Sequence, residues 1–350
     1  MRIAMISTPF VPVPPHHYGG TELVVHELVE GLLDRGHDVT LFATGDSRTR
    51  ARLASYYPRA VWPPAPFPDL NHTAWAMAEV ARGEFDVIHA HSAAALALGR
   101  LVADRPMVYT LHHAAEPELS EYYRDYPQVA FVAISDDQRR REAGVPRSTV
   151  IHHGLDPSRF QWTARPGDYV CFVGRFAQEK GIHTAIDAAA RAGVPIRVGG
   201  EVHPRDREFG RLEVAPRLRL PHVEYLGCIG TDRKVPLLRD ARALLSPIEW
   251  NEPFGLILIE AMLSGCPVVA YPRGSVPELI EHGVTGLIAE SADELVQMIQ
   301  PGGPVDQLDR QRIRSIAVSR FTHRRMSAEY EQVYQSVAAR TASRWPITAA

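Results

Sequence analysis

The 350-residue sequence lacks most of what marks a secreted, membrane-embedded or nucleic-acid-binding chain. Its three cysteines, Cys171, Cys228 and Cys266, stand far apart without metal-ligand spacing. They read as small core residues in a reducing compartment. No stretch nears the roughly 20 apolar residues that a membrane span needs. The apolar opening, Met1-Arg2-Ile3-Ala4-Met5-Ile6-Ser7, is too short for a signal peptide. Charge is nearly balanced, 38 Lys+Arg against 41 Asp+Glu, which leaves no electrostatic case for nucleic acid or an anionic membrane. No Gly-x-Gly-x-x-Gly follows any predicted strand, which argues against a nicotinamide dehydrogenase. No Asp-x-Asp motif is present, so neither a metal nor another cofactor is expected. The expectation is a cytoplasmic protein of open oligomeric state.

What is present describes a folded chain of two domains. Hydrophobic residues make up 45% and charged residues 23%, as in globular proteins. The length exceeds what one ordinary core serves. Short β-like runs at 3–6, 39–43, 85–88, 107–111, 129–134 and 149–151 alternate with helical patterns. The first helix starts near Thr21, carries Val24, Leu28, Gly31 and Leu32 along one face, and meets Gly36 at its end. Turn chemistry interrupts the series at 156–168, and the domain boundary is placed at 160–168. A second series follows at 169–173, 196–198, 223–225, 243–245, 268–270 and 287–288. Strands alternating with helices predict parallel sheets covered on both faces, an α/β class with two Rossmann-like halves. The divisions are then 1–160, 168–322, and a C-terminal helix over 323–345 that returns to the first domain.

The densest chemical signal is Glu252-Pro253-Phe254-Gly255-Leu256-Ile257-Leu258-Ile259-Glu260, two glutamates separated by seven residues. Pro253 suits the first turn of a helix, which would leave Glu252 in the preceding loop. Backbone N–H groups near Phe254, Gly255 and Leu256 would then face outward as a phosphate seat. Glu260 stands among apolar neighbours, where an unpaired charge is costly. The second signal is Gly174-Arg175-Phe176-Ala177-Gln178-Glu179-Lys180-Gly181, after a strand. Arg175 and Lys180 there are suited to neutralise a diphosphate, one by a fork and one as a point charge. In the first half, Gly19-Gly20 precedes the first helix, and His112-His113 end a strand. His89 and His91 flank Ala90 and are read as lying on opposite faces, which disfavours a metal pair.

Taken together, these motifs make the chain resemble family 4 of the retaining glycosyltransferases (GT4), whose GT-B fold pairs two Rossmann-like domains. The resemblance runs in order from residue 1 to about 335, through Gly19-Gly20, Ile134-Ser135, His153-Gly154-Leu155-Asp156, Gly174-Arg175, Glu179-Lys180-Gly181, Glu252 to Glu260, and Gly274-Ser275-Val276-Pro277-Glu278. It implies that Arg175 and Lys180 bind the diphosphate of a nucleotide-sugar donor and that Glu260 holds the ribose. It implies that Glu252 contacts the donor sugar, that His112 holds that sugar or the reacting hydroxyl, and that Gly20 closes over the donor. Cys228 and Ile229 would lie against the base. His16, His17, Tyr18 and His113 are assigned to the acceptor side. His153 replaces the family's usual asparagine, which puts that position's role in doubt. The expected reaction is hexose transfer with retention, glucose from UDP-glucose as first choice, to a small-molecule or saccharide hydroxyl. The alternatives are a non-catalytic nucleotide-sugar-binding protein and a sugar phosphorylase of the same fold.

Overall fold

The computed structural model describes residues 1–344 except Tyr18, Ala103, Asp104 and Pro146, with side chains through residue 340. The chain divides into two compact units. One comprises Met1–Leu155 and the chain from His323 onward, the other Asp156–Thr322. The division thus falls at Asp156, just before the 160–168 segment.

Seven strands form the first sheet: β1 (Arg2–Ile6), β2 (Asp38–Phe42), β3 (Arg52–Ala54), β4 (Val87–Ala90), β5 (Met107–Thr110), β6 (Ala130–Ala133) and β7 (Thr149–Val150). Their order is β3-β2-β1-β4-β5-β6-β7, and neighbouring strands pair in parallel. Ile3, Ala4, Met5 and Ile6 are all fully buried, as both faces of an internal parallel strand must be. The edge strand β3 was not expected; its residues are half-buried or exposed and form no apolar run.

The second sheet has six strands: β8 (Val170–Val173), β9 (Ile196–Gly199), β10 (Val223–Tyr225), β11 (Ala243–Ser246), β12 (Val268–Ala270) and β13 (Gly286–Ile288). They run parallel in the order β10-β9-β8-β11-β12-β13. Each sheet reverses its strand order once, between β1 and β4 in the first and between β8 and β11 in the second. In open α/β sheets, ligands bind outside the carboxyl ends of the strands at such a reversal.

The helix Gly20–Asp34 ends as expected at Gly36, whose φ of 82° is left-handed and whose N–H donates to the Leu33 carbonyl at 2.9 Å. The C-terminal helix His323–Arg344 packs against it within the first unit. A Cβ at Gly31 would lie 2.6 Å from Ser327 Oγ, so the close approach of the two helices requires glycine there. Tyr330 and Tyr334 anchor the C-terminal helix, both fully buried. Their hydroxyls lie 2.8 Å from Thr110 Oγ1 and 2.7 Å from His89 Nδ1. Among the described residues no helix is long and apolar enough to cross a membrane.

Candidate active site

The loops at the carboxyl ends of β8 and β11, the two strands flanking the second sheet's reversal, carry the charged residues singled out by sequence. After β8 the chain makes a single turn of 3-10 helix, Gln178–Lys180, and enters the helix Ile182–Ala192 through Gly181. Gly181 has φ +74°, and a Cβ there would lie 2.1 Å from the Pro247 carbonyl oxygen, so this turn is pressed onto the loop after β11. The Glu249 N–H donates to the Glu179 carbonyl at 2.9 Å and joins the two loops a second time.

Arg175 is buried, yet both ends of its guanidinium fork are engaged. Nη1 donates to Asp206 Oδ2 at 2.7 Å, and Nη2 donates to Glu179 Oε1. Asp206 comes from the turn after β9, and the exposed Arg205 beside it approaches Glu179 at 3.5 Å. Burial pushes the Glu179 carboxyl up, but its own backbone N–H and the two guanidiniums outweigh that and hold it below its ordinary range. The guanidinium assigned to the donor diphosphate is thus already paired with two carboxylates. The arginine stands in a carboxylate cage, which lowers the cost of its burial.

Lys180 pairs with Glu252 Oε2, and its ammonium sits 4.8 Å from the centre of the Trp250 ring. The Trp250 indole N–H donates to that same Glu252 oxygen at 2.9 Å. The backbone of Glu252 is fixed from the loop after β12. The Ser275 N–H donates to the Glu252 carbonyl at 3.0 Å, and the Ser275 hydroxyl to the Phe254 carbonyl at 2.6 Å. At Gly274, φ is +57° and a Cβ would meet the Glu252 carbonyl oxygen at 2.3 Å, so only glycine admits this contact.

The helix begins at Leu256, not at Pro253 as expected. Gly255 takes the left-handed conformation, φ 83°, and turns the chain into the helix after Pro253 and Phe254 have been buried. The Phe254 side chain packs edge-on against Phe321 in the core, so that residue offers a ligand only its backbone; Gly255 and Leu256 are half-exposed. Glu260 is buried on the same helix and carries a partner that sequence reasoning missed: Lys234 donates to its Oε1 at 2.5 Å. Lys234 lies in the first turn of the helix Thr231–Asp240, after β10. The loop between them holds Gly227, whose carbonyl accepts from the Gly200 N–H at 2.8 Å. In that loop Cys228 is half-buried, and Ile229 is buried against Gly199.

The second unit thus brings Lys180 and Glu252 into contact, places Arg175 on the same loop after β8, and holds Glu260 in its own ion pair. The first unit places its candidates separately. Gly20 is the exposed first residue of its helix, while Gly19 is the crowded one, 2.8 Å from Pro15 for an added Cβ. His16, His17 and His113 are exposed, and Tyr18 lies outside the described residues.

His112 is the half-exposed member of a largely buried histidine cluster that the opposite-faces reading of His89 and His91 overlooked. Residues two apart on a strand share a face, and the rings of His89 and His91 are 4.3 Å apart. His89 Nε2 lies 2.8 Å from Thr110 Oγ1, and His91 Nδ1 lies 2.7 Å from His112 Nε2. His153 stacks on His112 at 5.8 Å. Burial lowers all four imidazoles, with smaller contributions from neighbouring positive charge; His89 and His153 fall to about 3. The cluster is neutral at pH 7. Among the described residues no group of three or more His, Cys, Asp or Glu is placed to hold a metal ion.

Comparison with known proteins bears on this geometry. A family model described as glycosyl transferases group 1 matches residues 157–300, and one described as glycosyltransferase family 4 matches residues 18–159. Phosphatidyl-myo-inositol mannosyltransferase of Mycobacterium tuberculosis is 27% identical, over 97% of this chain and 97% of its own. Sucrose-phosphate synthase of Thermosynechococcus elongatus matches in structure with a TM-score of 0.80 at 21% identity, covering 97% of this chain and 99% of that one. Anabaena HepE, solved in complex with UDP-glucose, matches with a TM-score of 0.75 at 22% identity, covering 96% of this chain and 100% of its own. At these identities the structural likeness speaks for the fold, GT-B with its two Rossmann-like units.

Proposed function

Because the chain belongs to the family 4 glycosyltransferases, we propose that it moves a hexose, with retention, from a nucleotide-diphosphate sugar to a hydroxyl of a small molecule or saccharide. UDP-glucose is the donor to which the proposal commits, supported by the UDP-glucose complex of the HepE neighbour. The observation that carries the reading is the array Arg175, Lys180, Trp250 and Glu252, gathered from the loops after β8 and β11 at the sheet's reversal.

Each residue then has a role. The bond from the sugar's anomeric carbon to phosphate breaks, and its electron pair leaves on the diphosphate. Lys180 and Arg175 stabilise that charge, as an oxyanion hole does. The diphosphate replaces Glu179 on Arg175, because Glu179 is the more exposed of its two carboxylates, 33% against 13% for Asp206. Glu260 accepts from the ribose hydroxyls while Lys234 keeps its charge compensated. Glu252 orients the sugar. Glu252 Oε2 is held by both an ammonium and an indole N–H, which suits an orienting role, and the proposal has the acceptor oxygen attack on the face the diphosphate leaves. The departing phosphate oxygen takes the acceptor's proton. His112 hydrogen-bonds a substrate hydroxyl, the role the family resemblance implies.

The test is release of nucleoside diphosphate from UDP-glucose, GDP-mannose and ADP-glucose, with and without saccharide and small-molecule acceptors. UDP release that depends on an acceptor supports the reading. Binding without turnover of any donor would make the chain a nucleotide-sugar-binding protein, and dependence on inorganic phosphate would make it a phosphorylase.

A further inference from the structure

We infer that Met5 and His91 act as positioning residues that lock His112 in one tautomer, with the proton on Nε2 and a bare, accepting Nδ1. This deepens the role proposed for His112 and rests on that reading. It is drawn from two linked contacts in the first unit, Met5 to His91 and His91 to His112.

The chain of contacts has one end of fixed polarity. His91 Nε2 lies 3.2 Å from the Met5 sulfur, and Met5 is fully buried. A thioether carries no proton and only accepts. The N–H must therefore sit on His91 Nε2; otherwise a buried nitrogen lone pair would face sulfur lone pairs with no hydrogen between them. A neutral imidazole carries one proton, so His91 Nδ1 is an acceptor. The group 2.7 Å from it, His112 Nε2, must then be the donor. His112 has spent its proton and presents Nδ1 as a lone pair.

Among the described residues no other group competes for these atoms. Both nitrogens of the adjacent His89 are taken by the Tyr334 hydroxyl and Thr110 Oγ1. His153 meets the face of the His112 ring and not its edge, the two planes inclined by 21°. Burial keeps the imidazoles neutral, which the one-proton bookkeeping requires. His112 is the half-exposed member of the chain, and among the described residues its Nδ1 has no protein partner. A bare Nδ1 accepts from a hydroxyl and repels a phosphate oxygen. His112 thus reads a sugar or acceptor O–H and does not assist the departing diphosphate by donating to it.

The experiment is nitrogen NMR on the full-length chain labelled in its histidine rings, without substrate, at pH 7.5. Signals are assigned with His91→Gln and His112→Gln variants. The expected spectrum shows His91 and His112 each protonated at Nε2, with pyridine-type Nδ1 signals. In Met5→Leu, nearly equal in volume, both rings are expected to populate two tautomers, and kcat/KM to fall about fivefold, as for loss of one ordinary hydrogen bond. A wild-type His112 protonated at Nδ1 overturns the inference, as does a Met5→Leu spectrum identical to wild type. Because the tautomer is read in the free protein, this inference and the assignment of enzymatic activity fail separately.

Discussion

Lys234 Nζ lies 2.5 Å from Glu260 Oε1, and the pair joins two helices that follow different strands, Thr231–Asp240 after β10 and Leu256–Leu263 after β11. Glu260 is only 3% exposed and Lys234 14%. Breaking a buried pair from one side leaves an uncompensated charge, which costs about 3–5 kcal/mol. Lys234→Met is therefore expected to lower Tm by roughly 6–20 °C, at about 2–4 °C per kcal/mol for a unit of this size. The double variant Lys234→Met/Glu260→Gln should recover most of that loss. Thermal melts of the two variants and wild type check it; equal losses would show that the pair is not the cause.

Trp250 touches both partners of the neighbouring ion pair. Trp250→Phe keeps an aromatic face for Lys180 and removes the indole N–H that holds Glu252. A hydrogen bond to a charged group contributes about 1.5–3 kcal/mol. The expected outcome is a fall in kcat of about 10–100-fold with little change in donor KM, measured by steady-state kinetics.

Glu179 is paired with Arg175, the arginine proposed to take the donor diphosphate. Glu179→Gln removes a competing charge that is worth about 1 kcal/mol at a partly exposed site. The nucleoside diphosphate should then bind about fivefold more tightly at low salt, and the gain should shrink as salt is added. Calorimetric titration of UDP at two ionic strengths checks both parts.

Histidines whose imidazoles are lowered by burial make stability depend on pH, and three of them show it most plainly. His72 is lowered to about 4 and His89 and His153 to about 3, in each case mainly by burial. Their unfolded value is near 6.5, so between about pH 6.5 and pH 4 the unfolded chain binds protons that the fold refuses. Stability is thus full above pH 6.5 and is lost as pH falls, by up to about 1.4 kcal/mol per pH unit for each histidine. Glu22 and Asp69, raised by burial, act in the opposite sense at the acid end. Denaturant melts at pH 7.5, 6.5 and 5.5 should show the decline, with a shallower slope in His72→Gln.

The sheets were legible because each internal parallel strand is buried on both faces and so shows as an apolar run between turn residues. Strand β3 was not, since Arg52, Leu53 and Ala54 at the sheet edge carry no such run. The Glu252 loop was legible as chemistry, but the start of its helix was misplaced. Pro253 does suit a first turn, yet the left-handed Gly255 decides the boundary, and its conformation depends on the loop carrying Gly274 and Ser275. Lys234 was invisible as the partner of Glu260, because they stand 26 positions apart in the chain and only the packing of two helices joins them. The Met5, His91 and His112 chain escaped for the same reason: it crosses three strands of one sheet.

The β8 and β11 loops of the second unit are proposed to form a diphosphate-binding site. Calorimetric titration of UDP into wild type and into the Arg175→Ala/Lys180→Ala double variant tests it most directly. Clear binding to wild type is expected, with a loss of at least about 100-fold in the variant, where two charge-assisted contacts are removed. Undiminished UDP affinity in a folded double variant would contradict it.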